Sequence, residues 1–198
     1  MNALQPILLF DVMETLVTDP FRDVIPDFFG LSLDELLAAK HPTAWIDFEK
    51  GLISQDEYFR VCFLDGRTVD GKTLVNRVAA SYDWLDGMRP LLAELHARRH
   101  EMHAFSNYPV WYELIEARLG LSRYIDWTFV SCHTGLRKPD PQAYRHAIDI
   151  LGVDPPECLF IDDRQVNVDA ALNVGMDAIL MRGAEDLRGE LRRRHIID

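Results

Sequence analysis

At 198 residues the chain is long enough for one core domain carrying a modest insertion. Its formal charge of −11 excludes a nucleic-acid backbone as the natural partner, since that binding rests on Lys and Arg neutralising phosphates; small anionic substrates stay open. The longest apolar runs, such as 7–10, are far too short to span a bilayer.

No basic segment followed by a secretory apolar stretch opens the sequence, so the expectation is a cytoplasmic protein without a membrane partner. Cys62, Cys132 and Cys158 are odd in number, widely spaced and without a CxxC pair. They read as reduced, buried thiols rather than as disulfides or a zinc site.

Five short apolar or β-rich runs (7–10, 101–105, 127–131, 158–161 and 178–181) alternate with helical signals, which predicts an α/β fold with a parallel sheet covered by helices. "ILLFDVMETLV" supplies the first run and ends it on Asp11. About ninety residues then separate the first and second runs, far more than one crossover helix requires. Most of this stretch is expected to be an inserted helical cap domain at 18–85, leaving 1–17 and 86–198 as the core. Ser32 with Glu35 and Ser54 with Glu57 have capping-box spacing, and "TAWIDFEKG" predicts a short helix closed at Gly51.

A helix over 89–99 returns the chain to the core. Further helices are expected over 109–119 before Gly120, from Pro141 with Asp140 as cap and Gly152 as stop, and over 165–174 before Gly175. The "RRRH" at 192–195 reads as the solvated end of the last helix.

Ligands of open parallel α/β sheets gather at the carboxyl ends of the strands. Just past the first four expected strands stand Asp11; Ser106 and Asn107; Lys138 in "RKPDP"; and Asp162 with Asp163. Each alone is ordinary turn or capping chemistry. Four such groups at four strand ends, in chain order, are not explained by four independent turn preferences.

This set resembles the four motifs of the haloacid dehalogenase (HAD) superfamily, over the whole chain, and the long insertion falls where that superfamily places its helical C1-type cap. The resemblance implies a Rossmann-like core and phosphomonoester hydrolysis through an aspartyl-phosphate on Asp11. Lys138 would offset the charge of Asp11 and of the phosphoryl group, which Ser106 and Asn107 would hold. Asp11, Asp163 and the backbone carbonyl of Met13 would bind Mg²⁺, with Asp162 acting through water.

The superfamily's phosphatases usually have a second Asp two residues after the nucleophile, which handles the leaving-group proton; here Met13 stands there. A bulky residue at that position is also found in 2-haloacid dehalogenases, which use no metal. The adjacent Asp162 and Asp163 favour the metal-dependent branch, because without a cation they would repel a carboxylate substrate. A non-catalytic HAD-fold binding protein is the reading from a different class. Glu14, next to Met13, is expected to point away from the site.

Longer stretches, "DPFRDVIPDFFGLSLDELLAAKHPTAWIDFEKGLIS", "HAFSNYPVWYELIE", "SCHTGLRKPDP" and "FIDDRQVNV", resemble the plant flavin mononucleotide (FMN) hydrolases and their bacterial relatives, which also carry Met at the Met13 position. The implied substrate is a small phosphorylated metabolite, FMN first and a sugar phosphate second. Trp45 and Phe48, with Tyr58 and Phe59, would wall a flat ring or simply form the cap's own core. His41 and Lys50 are candidates for a phosphate or ribityl contact. His96, His100 and His103 fall at the far end of the sheet and have no metal role.

Overall fold

The computed structural model describes residues 5–198. Five parallel strands, β1 (Ile7–Phe10), β2 (Met102–Ser106), β3 (Asp126–Val130), β4 (Cys158–Asp162) and β5 (Asp177–Leu180), form one sheet in the order β3-β2-β1-β4-β5. Strands β2 and β4 are buried along their whole length, the pattern of strands covered on both faces. The order reverses beside β1, with β2 on one side and β4 on the other. The carboxyl end of β1 is therefore the crevice such sheets use for ligands.

Between β1 and β2 lie α1 (Val24–Phe29), α2 (Leu33–Ala39), α3 (Ala44–Glu49), α4 (Gln55–Val61) and α5 (Gly71–Ser81), and then α6 (Met88–Ala97), which leads into β2. Ser32 and Glu35 form the reciprocal capping box at α2, and the Ser54 hydroxyl accepts from the Glu57 N–H at α4. After β2 come α7 (Tyr112–Leu119), a single turn α8 (Ser131–Thr134), α9 (Pro141–Leu151), α10 (Gln165–Asn173) and α11 (Ala184–Arg193). Asp140 caps α9 through the Gln142 N–H and Gly152 ends it in the left-handed region, as the sequence requires. Ser131, expected as the end of a strand, opens α8 instead.

The two connections between sheet and insertion pair with each other. Thr18 N–H donates to the Asp83 carbonyl, Leu85 N–H to that of Leu16, and Val17 bridges antiparallel to Trp84. A second tie joins α3 to α8: the Ser131 hydroxyl donates to the Glu49 carbonyl, and the Arg137 guanidinium pairs with the buried Glu49 carboxylate. Gly51 (φ 69°) lies so close that a Cβ there would run into the Cys132 carbonyl oxygen.

The three cysteines are free; Cys62 and Cys158 are buried and Cys132 is half-buried. No helix among the described residues is long and apolar enough to cross a membrane. His103 bonds Thr128 and Glu101, and His100 bonds the Ile196 carbonyl; these partners stand in the middle of β3, just before β2 and near the C-terminus.

Candidate active site

Asp11 follows directly on β1, its N–H donating to the Ile161 carbonyl of β4. Lys138 reaches it from the loop before α9: the Nζ atom lies 2.8 Å from Asp11 Oδ1 and 2.7 Å from Asp162 Oδ2. The ammonium is about 1 % exposed and sits over the rings of Phe105 and Phe160, at 5.3 and 5.1 Å from their centroids. In a setting this dry, a cation persists only between partners that return what burial costs.

The Lys138 backbone is fixed by Asn107. That side-chain amide donates to the Lys138 carbonyl and its oxygen accepts from the Lys138 N–H, both at 2.8 Å. Asn107, expected to hold a phosphoryl group, thus uses its side-chain oxygen and one amide hydrogen to position the lysine, and its second amide hydrogen makes no bond among the described residues. Ser106 closes β2 and is buried, and its hydroxyl makes no hydrogen bond among the described residues.

Asp162 is fully enclosed and fully engaged. Besides Lys138 it accepts from the Arg164 N–H at 2.9 Å and, at both oxygens, from the Asn167 amide at 3.0 Å. Asp163 is half-buried and faces the cavity. Asn167 is the residue that sequence reasoning missed: buried in the first turn of α10, it faces the same cavity, and its Oδ1 has no hydrogen-bond partner. Its signal was its place in the first turn of the helix that starts just past Asp163, from which its amide reaches Asp162 at the end of β4.

Ligand oxygens of Asp11, Asp162 and Asp163 lie within 4.8 Å of one another. Burial pushes Asp11 up to about 7, partly offset by Lys138 and reinforced by Asp162 and Asp163. Burial and then Asp162 likewise raise Asp163. Burial alone would lower Lys138, but Asp11 and Asp162 outweigh it and hold the ammonium above its ordinary value. Three carboxylates therefore face one ammonium, a charge deficit that a divalent cation matches.

The cavity over these groups has a volume of about 630 Å³. Its lining includes Asp11, Lys138, Asn107, Asp163 and Asn167, together with Met13, Glu14, Asp19 and Tyr108, the apolar Phe21, Leu33, Leu37 and Trp45, and the cationic Arg22, Lys40 and Arg164. Of the six candidate pocket residues in the insertion, Trp45 lines this cavity, and Phe48, Tyr58, Phe59, His41 and Lys50 are not among its lining. Phe48 is about 1 % exposed and stacks on Tyr58 with centroids 4.9 Å apart. The His41 Nδ1 accepts from the Thr43 and Ala44 N–H groups and so caps α3. Glu14, expected to point away, lines the cavity because its backbone is left-handed (φ 56°).

Comparisons with known proteins agree with this geometry. A family model described as haloacid dehalogenase-like hydrolase matches residues 7–175. The chain is 50 % identical to Flavin mononucleotide hydrolase 1 of Arabidopsis thaliana over 186 residues, covering 94 % of this chain and 76 % of that one. It is 29 % identical to a sesquiterpene phosphatase of Aspergillus oryzae, covering 74 % and 76 %. A magnesium complex of a HAD family enzyme from Bacteroides thetaiotaomicron superposes with a TM-score of 0.78 at 22 % identity, covering 96 % of this chain and all of that one. With its sheet order, its insertion after β1 and its strand-end carboxylates and lysine, the chain belongs to the haloacid dehalogenase-like hydrolases.

Proposed function

We propose that this chain is a Mg²⁺-dependent phosphomonoester hydrolase that works through an aspartyl-phosphate on Asp11, with FMN as its substrate, a cap at 18–85 and a core of 1–17 and 86–198. The observation that carries the reading is the buried cluster of Asp11, Lys138, Asp162 and Asp163 at the carboxyl end of β1. Asp11 and Asp163, with the Met13 carbonyl, would hold the metal. Asp162, saturated by Lys138, Arg164 and Asn167, would orient Lys138 and act on the metal only through water.

When bound, Mg²⁺ supplies charge compensation for the phosphoryl group and for Asp11, a nucleophile that must be anionic and that burial otherwise holds near 7. The chain's own residues do the rest. Lys138 keeps one Asp11 oxygen in place, the Thr15 hydroxyl donates to the other at 3.3 Å, and the free Ser106 hydroxyl and Lys138 ammonium are donors for phosphoryl oxygens. Positioning and electrostatics of this kind carry most of the catalysis in phosphoryl transfer.

FMN is favoured by the relative from Arabidopsis and by the cavity itself. Trp45, Phe21, Leu33 and Leu37 give the cavity an apolar lining for a flat ring, while Arg22, Lys40 and Arg164 add positive charge to it. The free cysteines fit a reducing compartment such as the cytoplasm.

The test is phosphate release from a panel of phosphomonoesters, FMN and sugar phosphates among them, with Mg²⁺ or with chelator. FMN should lead in kcat/KM, chelator should stop turnover, and Asp11→Asn should remove it while the fold survives. Turnover that resists chelator, or that survives Asp11→Asn, defeats the mechanism; indifference to the flavin ring defeats the substrate assignment.

A further inference from the structure

The reaction leaves one proton without a source. Displacing phosphorus from a primary alcohol releases an alkoxide, and a positioned acid there is typically worth about 10² to 10⁴ in rate. Met13 cannot supply it.

The segment after Met13 brings other acids back to the cavity. Glu14 holds a left-handed backbone that costs a non-glycine residue free energy, and such strain persists only where the surroundings enforce it. Here the Glu14 N–H donates to the Val17 carbonyl and its carboxylate accepts from the Asp19 N–H at 2.8 Å, closing residues 14–19 into a loop. The loop returns the half-buried Asp19 side chain to the cavity that holds Asp11 and Met13.

Asp19 Oδ1 accepts from the Phe21 N–H at 3.0 Å, and Oδ2 has no hydrogen-bond partner among the described residues. The groups around this carboxyl are Glu14, Arg22 and Asp163, with the phenols of Tyr82 and Tyr108, which bond each other at 2.7 Å. Burial first, and Glu14 next among the raising influences, lift Asp19 above the ordinary carboxylate range; the Phe21 N–H and Arg22 pull the other way. The net direction favours the protonated form that an acid needs.

We propose that Asp19 is the general acid of this enzyme, held by Glu14 at the cavity wall and serving the leaving-group oxygen in place of the residue at Met13. The inference rests on the phosphohydrolase reading above. As an Asp11 oxygen bonds to phosphorus and the ester P–O bond breaks, the Asp19 carboxyl passes its proton to the departing alkoxide and becomes a carboxylate. Water then attacks the aspartyl-phosphate, gives its proton to Asp19 and restores Asp11 as phosphate leaves. Glu14 is a positioning residue: it binds the Asp19 backbone rather than the substrate.

The experiment compares leaving groups in the first turnover, where proton donation is felt directly. Leaving-group release is followed by quenched flow, with Mg²⁺ present, for FMN and for p-nitrophenyl phosphate, whose phenolate departs without a proton. Asp19→Asn should slow riboflavin release at least about 10²-fold and p-nitrophenolate release no more than about threefold. It should also remove the alkaline fall in the FMN rate. Should Asp19→Asn fold poorly by its urea midpoint, Asp19→Ser replaces it, keeping an acceptor for the Phe21 N–H. Equal slowing of both substrates makes Asp19 structural, and no slowing of either moves the proton source elsewhere; both overturn the proposal. Asp11→Asn run alongside separates the two readings: if it leaves both rates intact, the phosphohydrolase mechanism itself has failed.

Discussion

Lys138→Met tests whether the buried ammonium is what allows Asp11 and Asp162 to share a dry site. Methionine is close to lysine in length and fills the space over Phe105 and Phe160, so the change removes charge more than volume. Both carboxylates then lose the partner at 2.7–2.8 Å, and breaking a buried pair in this way costs about 3 to 5 kcal/mol. Native domains hold only about 5 to 15 kcal/mol in total, so the loss is large. At a urea slope of about 2 kcal/mol per molar, the midpoint should fall by about 2 M.

The pH dependence separates electrostatics from packing. In metal-free protein Asp11 is raised from 3.8 to about 7, so between those values the folded chain holds a proton that the unfolded chain has released. Stability therefore falls as pH rises through that window, by on the order of 4 kcal/mol at 1.36 kcal/mol per unit. Lys138, held above its ordinary value, stays charged across it and contributes a constant amount. Without Lys138 the Asp11 carboxyl rises further and takes up its proton earlier as pH falls. The cost of Lys138→Met should thus be greatest near pH 8.5 and shrink toward pH 5. Urea unfolding in chelator at the two pH values measures it; a cost that is equal at both, or under about 1 kcal/mol at pH 8.5, refutes the account.

Asp163→Asn should raise the Mg²⁺ concentration needed for half-maximal turnover, while Asp162→Asn should chiefly lower the unfolding midpoint, since Asp162 already accepts from Lys138, Arg164 and Asn167. A metal titration alongside unfolding curves checks this, and matching effects of the two changes would reverse the assignment. Gly51→Ala puts a Cβ against the Cys132 carbonyl at φ 69° and should cost more than about 2 kcal/mol in urea unfolding; a neutral result would mean that α3 does not bear on α8. Trp45→Ala should narrow the kcat/KM advantage of FMN over a sugar phosphate, and a loss of stability with that ratio unchanged would make Trp45 a packing residue only. Adding Met13→Asp to Asp19→Asn should recover at least about tenfold in first-turnover riboflavin release, because an acid returns to the same cavity.

What the sequence made legible were the features written locally. Strand runs fell within a residue of β1 to β5 because buried parallel strands are short apolar runs, and helix ends were marked by Ser32, Ser54, Asp140, Gly120 and Gly152. Asp11, Lys138 and Asp162 could be brought together from sequence because parallel topology sends every strand end to one edge of the sheet. Roles settled by contacts distant in sequence were not visible. Asn107 answers to a backbone 31 residues away, and nothing in "SNYP" says so. His41 is consumed as a helix cap, a use that neighbours two and three residues on decide only once the turn has formed.

Residues 13–19 show the same limit at its sharpest, and there it bears on chemistry. A residue beside Met13 is expected on the opposite side of an extended chain, which is why Glu14 reads as pointing away. Its positive φ breaks that alternation and places it on the cavity, and the bond from its carboxylate to the Asp19 N–H turns a strained backbone into a bracket. The side chain at Met13 therefore does not alone decide which proton donors the site has. A loop that curls back through six residues can present a carboxyl from a different position, with the nucleophile, the lysine and the strand-end carboxylates left where the sheet puts them.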